Sequence, residues 1–426
     1  MLAWGTMAPR LVWLLVAVGT GLAPVAARAD LIYQLEPLVG VGATDNAAVT
    51  TAGEARVADS YTFVGGNTRL AYSNARLTLG LGYNGAYTQY VRTQGAATFT
   101  NNLALTSTAE LSARWKLGMG AQGTLTKASG LSLVDPVAAT TQAAVAGSLL
   151  YLSTGVNQNL SYQPTPRQGY NELASVTQVR YLESPTLNGM VVPQPTTTFI
   201  AAGVSGNREM GRNQYTLVLD GGDSFREADP ALPPDPYAEG HTIIARLMAG
   251  WRREISPTWT TTLQGGPSTI FKLDGSGVLA PAFNGMVNYT RLPWFASVSL
   301  AQSPAPNLFL GEATLNDQVI VRLALPLTRS ERLFVGGWGG YTYARVASES
   351  QHLARLYDQF VGGATLTGRI SNWPMSFAVS YLALSQRGSA TPNNPVPDLA
   401  RQTVFLSVRG VFGWGPGAAP MFGGVM

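Results

Sequence analysis

Many short segments of this chain alternate apolar and polar residues with a period of two, and this pattern constrains the fold more than any other feature. The alternation runs through residues 76–90, 102–111 and 402–414. Successive side chains of a β-strand point to opposite faces of the sheet, so each segment has one apolar and one polar face. A helical period of 3.6 does not fit these segments. The pattern therefore predicts β-strands.

Eighteen such segments follow residue 30, and the connections between them alternate in length. Short turns are expected near 73–75, 112–114, 164–168, 210–213, 253–257, 291–293, 327–331 and 371–374. Longer loops are expected at 44–59, 129–147, 184–196, 227–240, 348–356 and 388–399, with shorter members at 92–97, 272–277 and 303–307. This arrangement is typical of outer-membrane proteins. We predict an all-β fold, a closed antiparallel transmembrane β-barrel of about 18 strands with short periplasmic turns and longer extracellular loops.

The composition agrees with a strand-built protein that faces both lipid and water. Charged residues make up 12% of the chain, roughly half the usual share, while hydrophobic residues make up an ordinary 46%. A helical membrane protein would need several runs of about 20 apolar residues. A soluble β-sandwich or propeller is the alternative, but it explains neither the loop alternation nor the uncharged apolar faces. In lipid, only a closed barrel satisfies every strand hydrogen bond.

The tryptophans give a second indication of a barrel. All of those after residue 30 except Trp338 lie beside a short turn or in the last strand segment: Trp115, Trp251, Trp259, Trp294, Trp373 and Trp414. Tryptophan gathers at membrane–water boundaries. We therefore expect an aromatic girdle at the short-turn end of the barrel.

The N-terminus has the features of a secretory signal peptide. Arg10 precedes an apolar run at 11–27, and Ala27-Arg28-Ala29 forms an A-x-A cleavage site. An N-terminal membrane anchor is the alternative, although the run is short and is interrupted by Pro24. We predict a signal peptide at 1–29, a barrel at 30–414 and a glycine- and proline-containing tail at 415–426.

Most catalytic and metal-binding chemistry lacks the residues it needs. The chain has no cysteine and two histidines, His241 and His352, so we expect no metal site and no cofactor. Scattered basic residues argue against nucleic-acid binding. An esterase-like Gly222-Asp223-Ser224 could meet His241 at the outer rim, but a polar strand face is the simpler interpretation, and we predict no enzyme. The acidic loop 227–240 could hold a divalent cation that bridges lipopolysaccharide, or could simply be a solvated loop.

A barrel of this size can enclose an aqueous lumen. Successive side chains of a strand alternate between its two faces, and this parity predicts which residues face the lumen. They are Glu110, Asp220, Arg246, Arg322 and Arg409, together with Thr78, Asn84, Gln318 and Thr365. The longest loop, 129–147, carries only Asp135 and is a poor candidate for a charged constriction. The short turns are basic, so Arg212, Arg252, Arg253 and Arg329 are expected at a cationic periplasmic mouth. Anchoring to lipid headgroups is an equally good interpretation of these arginines.

Three N-terminal segments resemble a known class of barrel. Pro37–Asn46, Ser60–Val64 and Leu70–Tyr90 are similar to Gram-negative outer-membrane β-barrels associated with exopolysaccharide secretion. The resemblance implies export of an exopolysaccharide across the outer membrane beside a polysaccharide-export lipoprotein. The implied partners are the lipid bilayer, lipopolysaccharide, the polysaccharide and that lipoprotein. A general or saccharide-specific diffusion porin is the main alternative, and an enzyme or a purely structural barrel is the third. The last strand departs from the usual pattern, because residues 415–426 follow Trp414.

Overall fold

The computed structural model describes residues 30–414 except 48–54, 94–95, 130–147, 184–185, 188–189, 192–195, 228–239, 273–276, 308–311, 329–331, 348–352, 371–372, 389, 392–393 and 396–397. The predicted signal peptide, the C-terminal tail and nearly all of loops 129–147 and 227–240 lie outside the described residues. Within the described residues there is no helix long and apolar enough to cross a membrane.

Eighteen long strands form one sheet in the described part of the chain. They are β1 Asp30–Thr44, β2 Asp59–Ser73, β3 Leu77–Tyr90, β4 Thr98–Glu110, β5 Trp115–Ser129, β6 Ser148–Thr165, β7 Gln168–Tyr181, β8 Thr196–Met210, β9 Asn213–Glu227, β10 Gly240–Ser256, β11 Trp259–Lys272, β12 Gly277–Arg291, β13 Trp294–Asn307, β14 Glu312–Pro326, β15 Leu333–Ala347, β16 Leu353–Arg369, β17 Met375–Gly388 and β18 Leu399–Gly410. Two small ribbons, Thr186–Leu187 with Met190–Val191 and Ala390–Thr391 with Asn394–Pro395, lie outside the sheet.

The sheet closes on itself. Each strand pairs antiparallel with the next, and β18 pairs with β1 from Leu38 opposite Arg409 to Thr44 opposite Thr403. Beyond Val411 the last strand resumes as Phe412–Trp414, which also pairs with β1. The predicted closed antiparallel barrel and its strand number are therefore confirmed.

Predicted and observed strand starts agree closely, with two instructive differences. The segment predicted to begin near residue 308 begins at Glu312, because β13 extends through the predicted loop 303–307. The segment predicted near 357 begins at Leu353, because the pairing of β15 with β16 shifts register at Ala344/Arg345. A register shift inserts an unpaired residue and interrupts the simple alternation.

The two faces of the barrel differ in chemistry. Large apolar side chains on the outer face are exposed, including Val41, Leu105, Leu217, Leu300 and Leu406. At the short-turn end, Trp115 stacks on Tyr162 at 4.5 Å and Trp259 packs on Tyr289 at 5.0 Å between ring centroids. A closed barrel with an exposed apolar exterior and an aromatic girdle belongs in the outer membrane of a Gram-negative bacterium.

Candidate functional site: the lumen

A row of polar side chains crosses the inner faces of β1–β5. Glu36, Asn67, Asn84, Asn102 and Thr124 occupy directly opposed register positions on successive strands. Asn67 Nδ2 donates to Glu36 Oε2 at 3.2 Å, Asn84 Nδ2 donates to Asn67 Oδ1, and Asn102 Nδ2 donates to Thr124 Oγ1 at 3.0 Å. We call these five residues the polar ladder. The alternation along the sequence predicts that Asn84 faces the lumen. It does not predict the ladder, because the ladder depends on the register in which the strands pair.

An ion pair across the closure of the barrel ends the polar ladder. Arg409 of β18 donates to Glu36, and Gln34 Nε2 donates to Glu36 Oε1 at 2.7 Å. Glu36 is 8% exposed, so its charge would be costly without these donors. Arg409, which the sequence predicts to face the lumen, thus also makes a structural contact on the inner wall.

Two further ion pairs lie on the inner wall. Arg246 Nε and Nη2 donate to Asp220 Oδ1 and Oδ2 at 2.7 and 3.0 Å, a two-pronged contact that fixes both side chains. Lys116 Nζ lies 2.7 Å from Glu110 Oε1. The charges within each pair cancel, so these side chains give the lumen polarity without a strong field of either sign.

Arg322 and Trp338 face each other in the register of β14 and β15. The indole of Trp338 packs against Val361, Leu384 and Leu399 and remains half-buried. Its Nε1 lies 3.2 Å from where a Cβ at Gly363 would stand, so the ring lies close to the backbone of β16. This explains why Trp338 stands apart from the girdle, since it belongs to the inner wall.

Part of one hairpin leaves the wall and packs into the lumen. The pairing of β12 with β13 stops at Phe283 opposite Gln302, although both strands continue toward the long-loop end. We call the point where these two strands separate the fork. Between the fork and the long-loop end, Ala313 and Leu315 of β14 join a buried apolar cluster. Its other members lie on β10, β11 and β12: Ile244, Ile270, Val278 and Ala280. The β13–β14 hairpin thus covers the inner faces of three other strands and narrows the long-loop end.

Two features hold the hairpin in place. Phe199 of β8 packs against the same cluster, and its ring lies 2.6 Å from where a Cβ at Gly222 would stand, so glycine is needed beneath it. At the fork, Asp317 accepts from Gln302 Nε2 at 2.6 Å and from Arg345 Nη2 at 2.7 Å. The apolar cluster and this polar contact both hold the face of β14 that carries Leu315 and Asp317.

Prolines in the sequence mark the position of the fork. Pro281, Pro304 and Pro306 lie on the two strands that separate, and β13 has one neighbour there instead of two. Proline cannot donate to a sheet ladder, so it is tolerated on a strand edge. The prediction of a loop at 303–307 is wrong, because an edge strand has the same proline-containing composition as a loop.

The fold assignment rests on the strand pairing, and comparison with known proteins adds no argument to it. No family model and no curated protein matches this chain. Solved structures that align with it include the outer membrane protein opdK from Pseudomonas aeruginosa, with TM-score 0.46, 10% identity and coverage of 90% of this chain and 99% of that one. OccAB3 from Acinetobacter baumannii has TM-score 0.45, 9% identity and coverage of 91% and 99%. The siderophore receptor PirA from Acinetobacter baumannii has TM-score 0.47, 7% identity and coverage of 92% and 81%. At these values the likeness says nothing about cargo.

The predicted mouth arginines divide between the two faces. Arg212 is exposed in the turn after Gly211, whose φ of +65° suits glycine in a two-residue hairpin. Arg252 and Arg253 are consecutive residues of β10 and therefore lie on opposite faces, with Arg252 toward the lumen. Arg329 lies outside the described residues. Two of the four residues thus remain as candidates for an inner basic rim.

The structure separates Ser224 from His241. Ser224 lies opposite Thr242 and is buried on the inner face, whereas His241 lies opposite Phe225 and stacks on its ring on the outer face. His241 Nδ1 lies 2.8 Å from Asp223 Oδ2, so the histidine meets the aspartate but not the serine. The hypothesis of a serine–histidine pair is therefore wrong, because neighbouring residues of paired strands alternate in face. No cluster of potential metal ligands occurs among residues that the structure describes.

Proposed function

We propose that this protein is an outer-membrane channel for neutral polar solutes of the saccharide class. The polar ladder carries the proposal. Carboxamide and hydroxyl groups along one wall offer both donors and acceptors, which is what a solute covered with hydroxyl groups requires. Elsewhere on the inner face, the ion pairs Asp220–Arg246 and Glu110–Lys116 add polarity without selecting strongly for one charge.

The aromatic ring of Trp338 supports the same assignment. A half-buried indole on the inner wall offers an apolar surface to the C–H faces of a sugar ring, and Arg322 opposite it offers donors to the hydroxyl groups. The polar ladder and Trp338 thus provide the two kinds of contact that a saccharide makes.

Proteoliposomes containing the full chain test this proposal. We expect them to swell in isotonic disaccharide faster than protein-free liposomes, and to admit a neutral disaccharide at least as fast as an acidic solute of similar size. A matched preparation with Asn84→Leu should swell more slowly in the disaccharide. Swelling that is absent, or unchanged by this substitution and driven mainly by charge, would contradict the proposal.

Export of an acidic exopolysaccharide, with a polysaccharide-export lipoprotein as partner, is the second candidate. Exposed Arg212 and Arg252 at the short-turn end favour it, since a basic rim attracts an anionic polymer from the periplasm. In a deletion strain, export predicts loss of surface polymer and accumulation inside the cell. A saccharide channel predicts normal surface polymer and slower saccharide uptake.

A further inference from the structure

Two polar side chains lie on the lipid-facing surface of β6 and β7. Tyr162 and Tyr170 stack on each other at 6.3 Å in the girdle at the short-turn end. Gln158 and Glu172 have the same parity as these tyrosines on their respective strands and are exposed. Both side chains therefore face outward, on the membrane side of the girdle.

The depth of these residues places them beside lipid chains. Gln158 is four residues from Tyr162, which corresponds to about 13 Å along the strand and about 10 Å along the membrane normal for the usual strand tilt. Glu172 is two residues from Tyr170. At the depth of Gln158, the lipid chains offer no hydrogen-bond partner.

The barrel itself does not satisfy the two groups. In the pairing register, Gln158 lies opposite Met119 and Ala174, and Glu172 lies opposite Leu160 and Val204. None of these directly opposed neighbours has a polar side chain, and no hydrogen bond joins Gln158 to Glu172, its diagonal neighbour on the same face, in the described structure. The contrast with Asn101 is direct, since this outer-face amide accepts from Tyr83 Oη at 2.7 Å.

We propose that this surface binds a second copy of the same chain within the membrane. The carboxyl group of Glu172 can accept hydrogen bonds, and the amide of Gln158 can donate two. In a symmetric dimer each surface meets its own counterpart, so Gln158 of each copy can donate to Glu172 of the other. One surface thus supplies both halves of the contact, and the small side chains of Ala174 and Ala202 beside it permit close approach.

Cross-linking in native outer membranes tests the proposal. The chain has no cysteine, so a single introduced cysteine reports its own position. With a bis-maleimide reagent, Ala174→Cys should give a band of twice the monomer mass. The matched control Val298→Cys, which also lies on an exposed outer face, should remain monomeric. Equal cross-linking of the two variants, or a band whose mass reveals a different protein, would overturn the proposal.

Charge exchange tests the pairing itself. In the Ala174→Cys background, Gln158→Glu should abolish the dimer band because it sets carboxylates against one another. The exchange Gln158→Glu with Glu172→Gln should restore the band, because a donor and an acceptor again face each other. Heat-modifiable migration of every variant checks that the barrel has folded. Folded single and double variants that cross-link equally would contradict the pairing. This result would leave the channel proposal untouched.

Discussion

The inner wall has two regions of opposite character, although both obey the same alternation. On β1–β5 the inner positions carry the polar ladder, and on β10–β12 near the long-loop end they carry Ile244, Ile270 and Val278. The difference lies in what each region faces. The ladder faces the lumen, whereas the apolar positions face the β13–β14 hairpin. The chemistry of an inner face thus follows what that face packs against.

Releasing the hairpin should have the largest effect on the channel. Leu315→Asp places a carboxylate in the apolar cluster without a partner, and this costs more than the packing of the hairpin can offset. We expect the hairpin to leave the inner wall and the single-channel conductance to rise severalfold. Leu315→Met conserves volume and should leave the conductance unchanged. An unaltered conductance in a folded Leu315→Asp barrel would mean that the hairpin does not limit flow.

Removing the cation at the end of the polar ladder should destabilise the barrel. Arg409→Met leaves Glu36 nearly buried without its charged donor, and we expect a loss of about 1–3 kcal/mol in the free energy of unfolding. Urea-induced unfolding in lipid vesicles measures this quantity. Adding Glu36→Gln should recover much of the loss, because the buried charge is then gone. A single variant as stable as the native protein would show that Arg409 has no structural role.

The sequence predicted the barrel well because its physical basis is local. Alternation and turn length are readable residue by residue, and they gave strand starts within about four residues of those observed. Parity also assigned the inner face to Glu110, Asp220, Arg246 and Arg322, but which of them pair depends on register.

The hairpin escaped prediction for a different reason. Leu315 has the same parity as lipid-facing Val319 and Val321, so the sequence pattern cannot tell that its side chain packs inside. Leu315 packs inside because β12 and β13 separate beyond Gln302. This separation depends on the pairing of three strands together. Non-local packing of this kind has no period in the sequence.

Trp338 should contribute to saccharide affinity, while the girdle tryptophans should not. Trp338→Ala removes the aromatic surface from the inner wall, and we expect binding to weaken about threefold to tenfold, which corresponds to roughly 1 kcal/mol. Tryptophan fluorescence titration with a neutral oligosaccharide measures the affinity. Trp259→Ala on the outer face is the matched control and should bind normally. Equal effects of the two substitutions would remove Trp338 from the proposed pathway.

The smallest change in the free energy of unfolding is expected from a substitution at Ser224. Its Oγ is buried without a hydrogen-bond partner in the described structure, and His241 lies on the other face. Ser224→Ala should therefore change the free energy of unfolding by less than about 0.5 kcal/mol or raise it slightly, since an unsatisfied hydroxyl is removed. Ester hydrolysis that is present in the native protein and lost in this variant would revive the enzyme hypothesis.

The most direct test is the single-channel current of the reconstituted full chain in the presence of a neutral oligosaccharide. We expect a steady ionic current that the oligosaccharide interrupts reversibly and in proportion to its concentration. In Asn84→Leu the interruptions should be shorter, because the polar ladder has lost its central amide. A barrel that conducts ions but shows no interruption at any saccharide concentration, or one in which Asn84→Leu behaves as the native protein, would contradict a saccharide pathway along the polar ladder.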